Sequence, residues 1–276
     1  MEYTVTSKKL LSVQNLSLIL GDRVILRAVD TEIFETTQPG GPVHGQVVAF
    51  LAPSGMGKTQ LFRCIAGLQE PTSGAVYVNE DKDPVRAGEV GVLAQDYPLD
   101  ETRTVLGNLE LAARLAGRKG SDATNAAKEK LARFGLWDVR KHYPCQLSGG
   151  QRQRVAYLQQ ILCSKHFLLM DEPFSGLDVL VKDQVAQQIL EYAAQDVVNT
   201  IIITSHDIRT ACAVADLVWL LGRDHGEDGK PIPGARIQKA YNLKDLDLCW
   251  HPGITSTPRF FEFVTMIERE DFPKLS

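Results

Sequence analysis

The segment Gln46–Leu51 is an almost unbroken apolar run, and Ala52-Pro53-Ser54-Gly55-Met56-Gly57-Lys58-Thr59 follows it directly. Next comes Gln60–Leu68, a helical pattern with Leu61, Ile65 and Leu68 on one side. Strand, glycine-rich turn and helix in that order set a helix N-terminus at the carboxyl end of a buried strand. Backbone N–H groups of such a turn form a nest for an anion, and the helix end adds its positive dipole. Gly55 and Gly57 let the backbone approach phosphates. Lys58 reaches the terminal phosphates and the Thr59 hydroxyl is a Mg²⁺ ligand. Pro53, Ser54 and Met56 complete the loop, and Gln60 opens the helix behind it. The pattern G-x-x-x-x-G-K-[ST] asks for glycine first, where this chain has Ala52. Alanine is the smallest replacement, so the loop is expected to survive.

Short apolar strands alternate with helices beyond this point. Phe167–Met170, Thr200–Thr204 and Leu217–Leu221 read as buried strands; Ser148–Cys163, Val181–Asp196 and Ile208–Ala215 read as helices. That alternation predicts a parallel sheet covered on both faces. Before the phosphate loop, Leu11–Leu20 and Arg23–Ile33 alternate polar and apolar residues, as half-buried antiparallel strands do. Glu35–Gly45 is rich in Pro, Gly and Thr and reads as an exposed loop. Ala75–Val78 and Val90–Ala94 are further short strands, while Thr104–Gly117 and Ala123–Phe134 are helices. Gly222–Gly234 reads as an exposed hairpin connection. The tail Trp250–Ser276 clusters Phe260, Phe261, Phe263 and Phe272, and is expected to pack one amphipathic helix on the body.

Composition removes several classes. With 276 residues, 44% hydrophobic and 23% charged, the chain is an ordinary globular one, not disordered, collagen-like or coiled-coil. Its net charge of -4 lacks the basic excess of a nucleic-acid binder, so no nucleic acid is expected. Val47–Leu51 and Ala211–Leu221 fall short of the about 20 apolar residues of a spanning helix. The N-terminus MEYTVTSKKL carries Glu2 and no apolar run, so no signal peptide is expected. Cys64, Cys145, Cys163, Cys212 and Cys249 show no metal spacing and fit a reduced interior.

Two more strings carry chemistry. Phe167-Leu168-Leu169-Met170-Asp171-Glu172 is an apolar strand ending in two carboxylates. Asp171 can join a Mg²⁺ shell, and Glu172 can polarise an attacking water. Leu147-Ser148-Gly149-Gly150-Gln151 places Ser and two Gly at a helix N-terminus, a second anion site. An ordinary N-cap accounts for Ser148, but not for two Gly followed by Gln151.

These motifs, in this order from Val13 to Leu221, resemble the ATP-binding-cassette family. Ala52–Thr59 is similar to Walker A, Phe167–Glu172 to Walker B with its catalytic Glu, and LSGGQ (147–151) to the family signature. Gln95 resembles the Q-loop glutamine, Ser175-Gly176-Leu177-Asp178 the D-loop, and His206 the switch histidine. The resemblance implies a P-loop α/β fold with a RecA-like parallel sheet, an N-terminal antiparallel β subdomain and a helical insertion. It also implies a single cassette domain. Its parts are a β layer with the P-loop at about 1–94, a helical part at 95–146, the signature-to-switch region at 147–221, and a hairpin and tail at 222–276.

The resemblance further implies an ATPase using ATP and Mg²⁺, with Thr59, Gln95 and Asp171 around the metal and Glu172 as general base. His206 would contact the γ-phosphate, and Gln95 would touch the metal or the water. Ser148, Gly149, Gly150 and Gln151 would meet the ATP held by the partner of a head-to-tail dimer, with Asp178 at the D-loop. The family usually stacks an aromatic ring on adenine; the candidate here is Leu20, so stacking is lost.

One set of motifs and no fused membrane domain imply pairing with itself or a paralogous subunit. The implied partners are integral membrane permease subunits and a solute-binding protein, and the place is cytoplasmic, peripheral on the inner face of the cell membrane. DEPFSGLD (171–178) resembles importer subunits of the nitrate, sulfonate and taurine group, and no C-terminal regulatory barrel is expected. Asp96-Tyr97-Pro98-Leu99 would line the groove for a permease coupling helix. Between Arg114 and Lys141 eight basic residues face three acidic ones, read as a solvated helical face. The alternatives are a soluble non-transport cassette ATPase, an export or lipid-transport subunit, and a degenerate regulatory subunit. Lys58, Glu172 and His206 argue against the last.

Overall fold

A computed structural model describes residues 3–37, 45–93, 98–163, 167–194, 199–249 and 253–276. The chain divides into two compact units: Met1–Ala87 with Met170–Ser276, and Gly88–Leu169.

The first unit opens with a long hairpin. Strand β1 (Thr4–Leu20) pairs antiparallel with β2 (Arg23–Thr37), in register from Thr4 opposite Thr37 to Leu20 opposite Arg23. Gly21, at φ 59°, begins the two-residue turn between them. Leu10, Leu11, Val13, Leu16 and Leu18 of β1, with Leu26, Val29 and Ile33 of β2, are buried. Both strands outrun the sequence reading. Glu35–Thr37 are strand, not loop, because β-branched Thr36 and Thr37 pair with Val5 and Thr4 before the Pro/Gly run begins. The rest of the expected loop, 38–44, lies outside the described residues.

Strand β3 is Gln46–Leu51, buried at every position. Helix α1 (Lys58–Ile65) follows the phosphate loop. Strand β4 (Ser73–Val78) returns to β1, giving the antiparallel sheet β2-β1-β4. Gly74 sits at φ 79°, where an added Cβ would lie 2.4 Å from the carbonyl oxygens of Gln14 and Asn15. Glycine is required there both by conformation and by space.

The second unit contains β5 (Gly91–Leu93), α2 (Val105–Leu115), α3 (Gly120–Arg133) and α4 (Gly149–Cys163). Thr104 caps α2 by accepting from the Gly107 N–H at 3.1 Å. Buried Asn108 is fully engaged: it accepts from the Asp100 N–H at 2.8 Å and donates to the Asp100 carbonyl at 3.0 Å. Strand β6 (Phe167–Asp171) leads from this unit back into the first.

There α5 (Val179–Ala193), β7 (Thr200–Ser205), α6 (Ile208–Val214) and β8 (Leu217–Gly222) complete the α/β layer. Strand β3 lies between β7 and β8, parallel to both, with Leu51 opposite Ser205 and Leu220. The continuous burial of β3 and β7 is what a sheet covered on both faces demands. Phe50 and Trp219 pack edge to face at 4.9 Å across β3 and β8. Helix α5 starts at Val179 rather than Val181, since Asp178 caps it.

Strand β9 (Arg236–Asn242) returns antiparallel on β8, so 222–234 is the expected hairpin connection. The tail carries the expected amphipathic helix, α7 (Pro258–Met266), with Phe260, Phe263 and Val264 buried and Phe261 exposed. Trp250 lies outside the described residues. Cys64, Cys212 and Cys249 are buried, Cys163 is partly buried and Cys145 is exposed.

Candidate nucleotide site

The sheet delivers Leu51 and then Ala52, which is fully buried and has no positive φ, so the missing glycine costs no backbone strain. Gly55 at φ 80° and Gly57 at φ 86° do hold left-handed backbone. Met56 is tucked in at 8% exposure, while Pro53 and Gln60 are partly buried and Ser54 and Gly55 are exposed. The loop rests on the hairpin: an added Cβ on Gly57 would stand 3.0 Å from Cγ2 of Ile25. Leu20 and Ile19, at the hairpin end, keep about two-fifths of their surface in solvent (39% and 45%).

Lys58 leads α1 and turns back, its Nζ donating to the Ala52 carbonyl at 2.7 Å. Burial lowers its pKa, and the nearby Glu172 and Asp171 carboxylates pull the other way. Nζ stands 3.9 Å from Oε1 of Glu172. The ammonium thus has one carbonyl and a loose ion pair, a cation ready to take a stronger anion.

Asp171 ends β6 between two hydroxyls. Oδ2 accepts from Thr59 at 3.2 Å, and Oδ1 accepts from the buried Thr204. A hydroxyl and a carboxylate oxygen so placed are the hard donors that Mg²⁺ takes alongside phosphate and water. Among the described residues no group of three His, Cys, Asp or Glu could hold a metal by itself. Gln95, the third expected ligand, lies outside the described residues, as do Asp96 and Tyr97; Pro98 is exposed and Leu99 buried.

Glu172 holds φ 53°, uncommon for a residue with a side chain. Thr204 pins it there, its carbonyl accepting from the Glu172 N–H at 3.1 Å. The carboxylate is then aimed at His206: Oε2 lies 2.8 Å from Nδ1 and 3.2 Å from the backbone N. Thr204 therefore holds the Asp171 carboxylate and the Glu172 backbone. Sequence reading passed over it, although a hydroxyl at the end of an apolar strand is a buried polar group that must find a partner. Asp178 caps α5, Oδ1 accepting from the Val181 N–H at 3.0 Å.

In the other unit, Ser148, Gly149 and Gly150 are exposed at the start of α4. Contrary to the expectation from sequence, the cap does account for Gln151. Oε1 of Gln151 accepts from the Ser148 N–H at 3.0 Å while Oγ of Ser148 accepts from the Gln151 N–H at 3.3 Å. This is a reciprocal capping box, legible as Ser-x-x-Gln.

The family model for ABC transporters matches residues 43–175. The aliphatic sulfonates import ATP-binding protein SsuB of Rhodopseudomonas palustris (strain BisA53) is 37% identical over 220 residues, covering 80% of this chain and 72% of that protein. The chain belongs to the ABC transporter family. The maltose/maltodextrin import ATP-binding protein MalK of Photorhabdus laumondii is 33% identical to this ABC protein over 226 residues, 80% of this chain and 58% of that one. Among solved structures, cbiO1 from Clostridium perfringens, part of the ABC transporter complex cbiONQ, superposes with a TM-score of 0.70 at 21% identity. That match covers 97% of this chain and 98% of the other, and supports the P-loop α/β fold. The protein is thus an ATP-binding subunit of the ABC type, an ATPase. No helix among the described residues is long and apolar enough to cross a membrane.

Proposed function

We propose that the chain hydrolyses MgATP as a head-to-tail dimer, with itself or a paralogous subunit, and drives uptake of a solute through separate integral membrane permease subunits. The observation that carries the reading is the convergence of Lys58, Asp171, Glu172 and His206 at the ends of β3, β6 and β7. Relatives named as import proteins for sulfonates and for maltose support uptake. A solute-binding protein and a peripheral position on the cytoplasmic face belong to the same reading.

The loop 52–60 cradles the phosphates, with backbone N–H groups donated from its residues other than Pro53, and Lys58 leaves the Ala52 carbonyl for the β- and γ-phosphates. Thr59 and Asp171 would hold the Mg²⁺, which supplies neutralisation of charge on the phosphate oxygens when bound. Glu172 takes a proton from the attacking water, whose oxygen bonds to the γ-phosphorus as the bond to the β–γ bridging oxygen breaks. ADP and phosphate leave. His206 holds the Glu172 carboxylate in place and contacts the γ-phosphate. Gln95 would join Thr59 and Asp171 in holding the metal, and Ser148–Gln151 with Asp178 would face the nucleotide of the partner subunit.

The test is twofold. ATP turnover must be lost in Glu172→Gln, and the chain must copurify with a polytopic permease from solubilised native membranes. Turnover unchanged in the variant removes Glu172 as base. Recovery without any integral membrane protein favours the soluble ATPase reading.

A further inference from the structure

Beside the site lies an ion pair that the hydrolysis mechanism does not use. Lys182, one turn into α5, places Nζ 2.5 Å from Oδ2 of Asp207, the residue that follows His206. Neither side chain is freely solvated; their exposures are 27% and 21%. Asp207 is fixed from several directions. Oδ1 accepts from the Thr210 N–H at 3.1 Å, Oδ2 from the Thr210 hydroxyl at 3.0 Å, and its own N–H donates to Oγ of Ser205 at 3.0 Å. Burial by itself would raise the Asp207 pKa, yet the Lys182 and Thr210 bonds outweigh it and hold the carboxyl below its ordinary range.

His206 is therefore strung between Ser205, buried at the end of β7, and an anchored Asp207. Its backbone N and its ring both meet the same Glu172 oxygen, so any shift of that backbone moves the ring against the carboxylate. On the other side, the Lys182 N–H bonds the Asp178 carbonyl at 2.9 Å, which ties the pair to the segment 175–178 that follows Glu172.

We propose that Lys182 is a positioning residue for ATP hydrolysis: through Asp207 it sets His206 against Glu172. The inference rests on the proposed roles of Glu172 and His206. Lys182 is paired with Asp207, while Lys58 and Thr59 have their own partners in Ala52 and Asp171, so it should act on the rate and leave nucleotide binding alone.

The experiment measures kcat and KM for ATP with the full chain, in single turnover where steady state is too slow. Variants are Lys182→Ala, Lys182→Arg, His206→Ala, the double Lys182→Ala/His206→Ala, and Glu172→Gln. Lys182→Ala should lower kcat about tenfold, the cost of a small misplacement, with KM held within about twofold. Lys182→Arg should recover most of the loss, because it keeps the cation. In the His206→Ala background, removing Lys182 should cost less than about twofold, since the two substitutions act through one ring. An unchanged kcat in Lys182→Ala overturns the proposal, as does a loss that persists undiminished without His206. If Glu172→Gln turns over like the parent, the proposed function falls, and this inference with it. If Glu172→Gln is dead and Lys182→Ala is not, only the inference falls.

Discussion

Oε2 of Glu172 receives both the ring Nδ1 of His206, at 2.8 Å, and its backbone N–H, at 3.2 Å. One carboxylate oxygen is held twice by one residue, while the other oxygen looks toward Lys58 at 3.9 Å. Replacing Glu172 by Gln keeps the shape and removes the proton acceptor. Turnover is expected to fall about a hundredfold or more while ATP still binds. A turnover assay run beside a nucleotide-binding titration reads both.

Lys58 has exchanged water for a carbonyl and a distant carboxylate. Lys58→Ala is expected to weaken ATP binding about tenfold or more by removing a charge-assisted bond to phosphate. Folding should be nearly unaffected, because burial disfavours this charge. Titration of ATP followed by intrinsic fluorescence, with a thermal melt of the free protein, separates the two effects.

Asp207 has a folded-state pKa below the ordinary carboxylate value. The stability it contributes is therefore fully present above the unfolded pKa of about 4, and is lost as pH falls through the lower folded value. Urea unfolding between about pH 7 and about pH 3 should show a steeper acid limb in the parent than in Asp207→Asn. Equal slopes would mean the carboxylate is not held by Lys182 and Thr210.

Gly74→Ala places a methyl group 2.4 Å from two carbonyl oxygens of β1 and forces a left-handed backbone on a residue with a side chain. A loss of about 2–4 kcal/mol is expected in chemical denaturation. Gly88, also left-handed but with open space around an added Cβ, is the control. Its change to Ala should cost only the conformational part.

Most strands and helices were legible in the sequence because burial there is periodic or continuous. Gln46–Leu51 is read without error, since six apolar-run positions before a glycine turn admit one interpretation. The site was legible where its residues are adjacent in sequence, as at Lys58-Thr59 and Asp171-Glu172. What remained hidden depends on partners distant in the chain. Thr204 and Asp171 are joined only by folding, and so are Lys182 and Asp207. Glu35–Thr37 misled because a breaker-rich run at 39–42 colours its neighbours, whereas pairing with Thr4 and Val5 decided the strand. The capping role of Gln151 stayed hidden because an anion, and not its own backbone, was the expected partner.

The five thiols differ in accessibility. Burial pushes Cys64 up to about 11 and raises Cys163, Cys212 and Cys249 as well. Cys145, exposed two residues before the LSGGQ string, stands apart. A maleimide dye should therefore enter at Cys145 first, without any engineered cysteine. Its emission would report nucleotide-driven changes at the signature in a chain that carries no substitution.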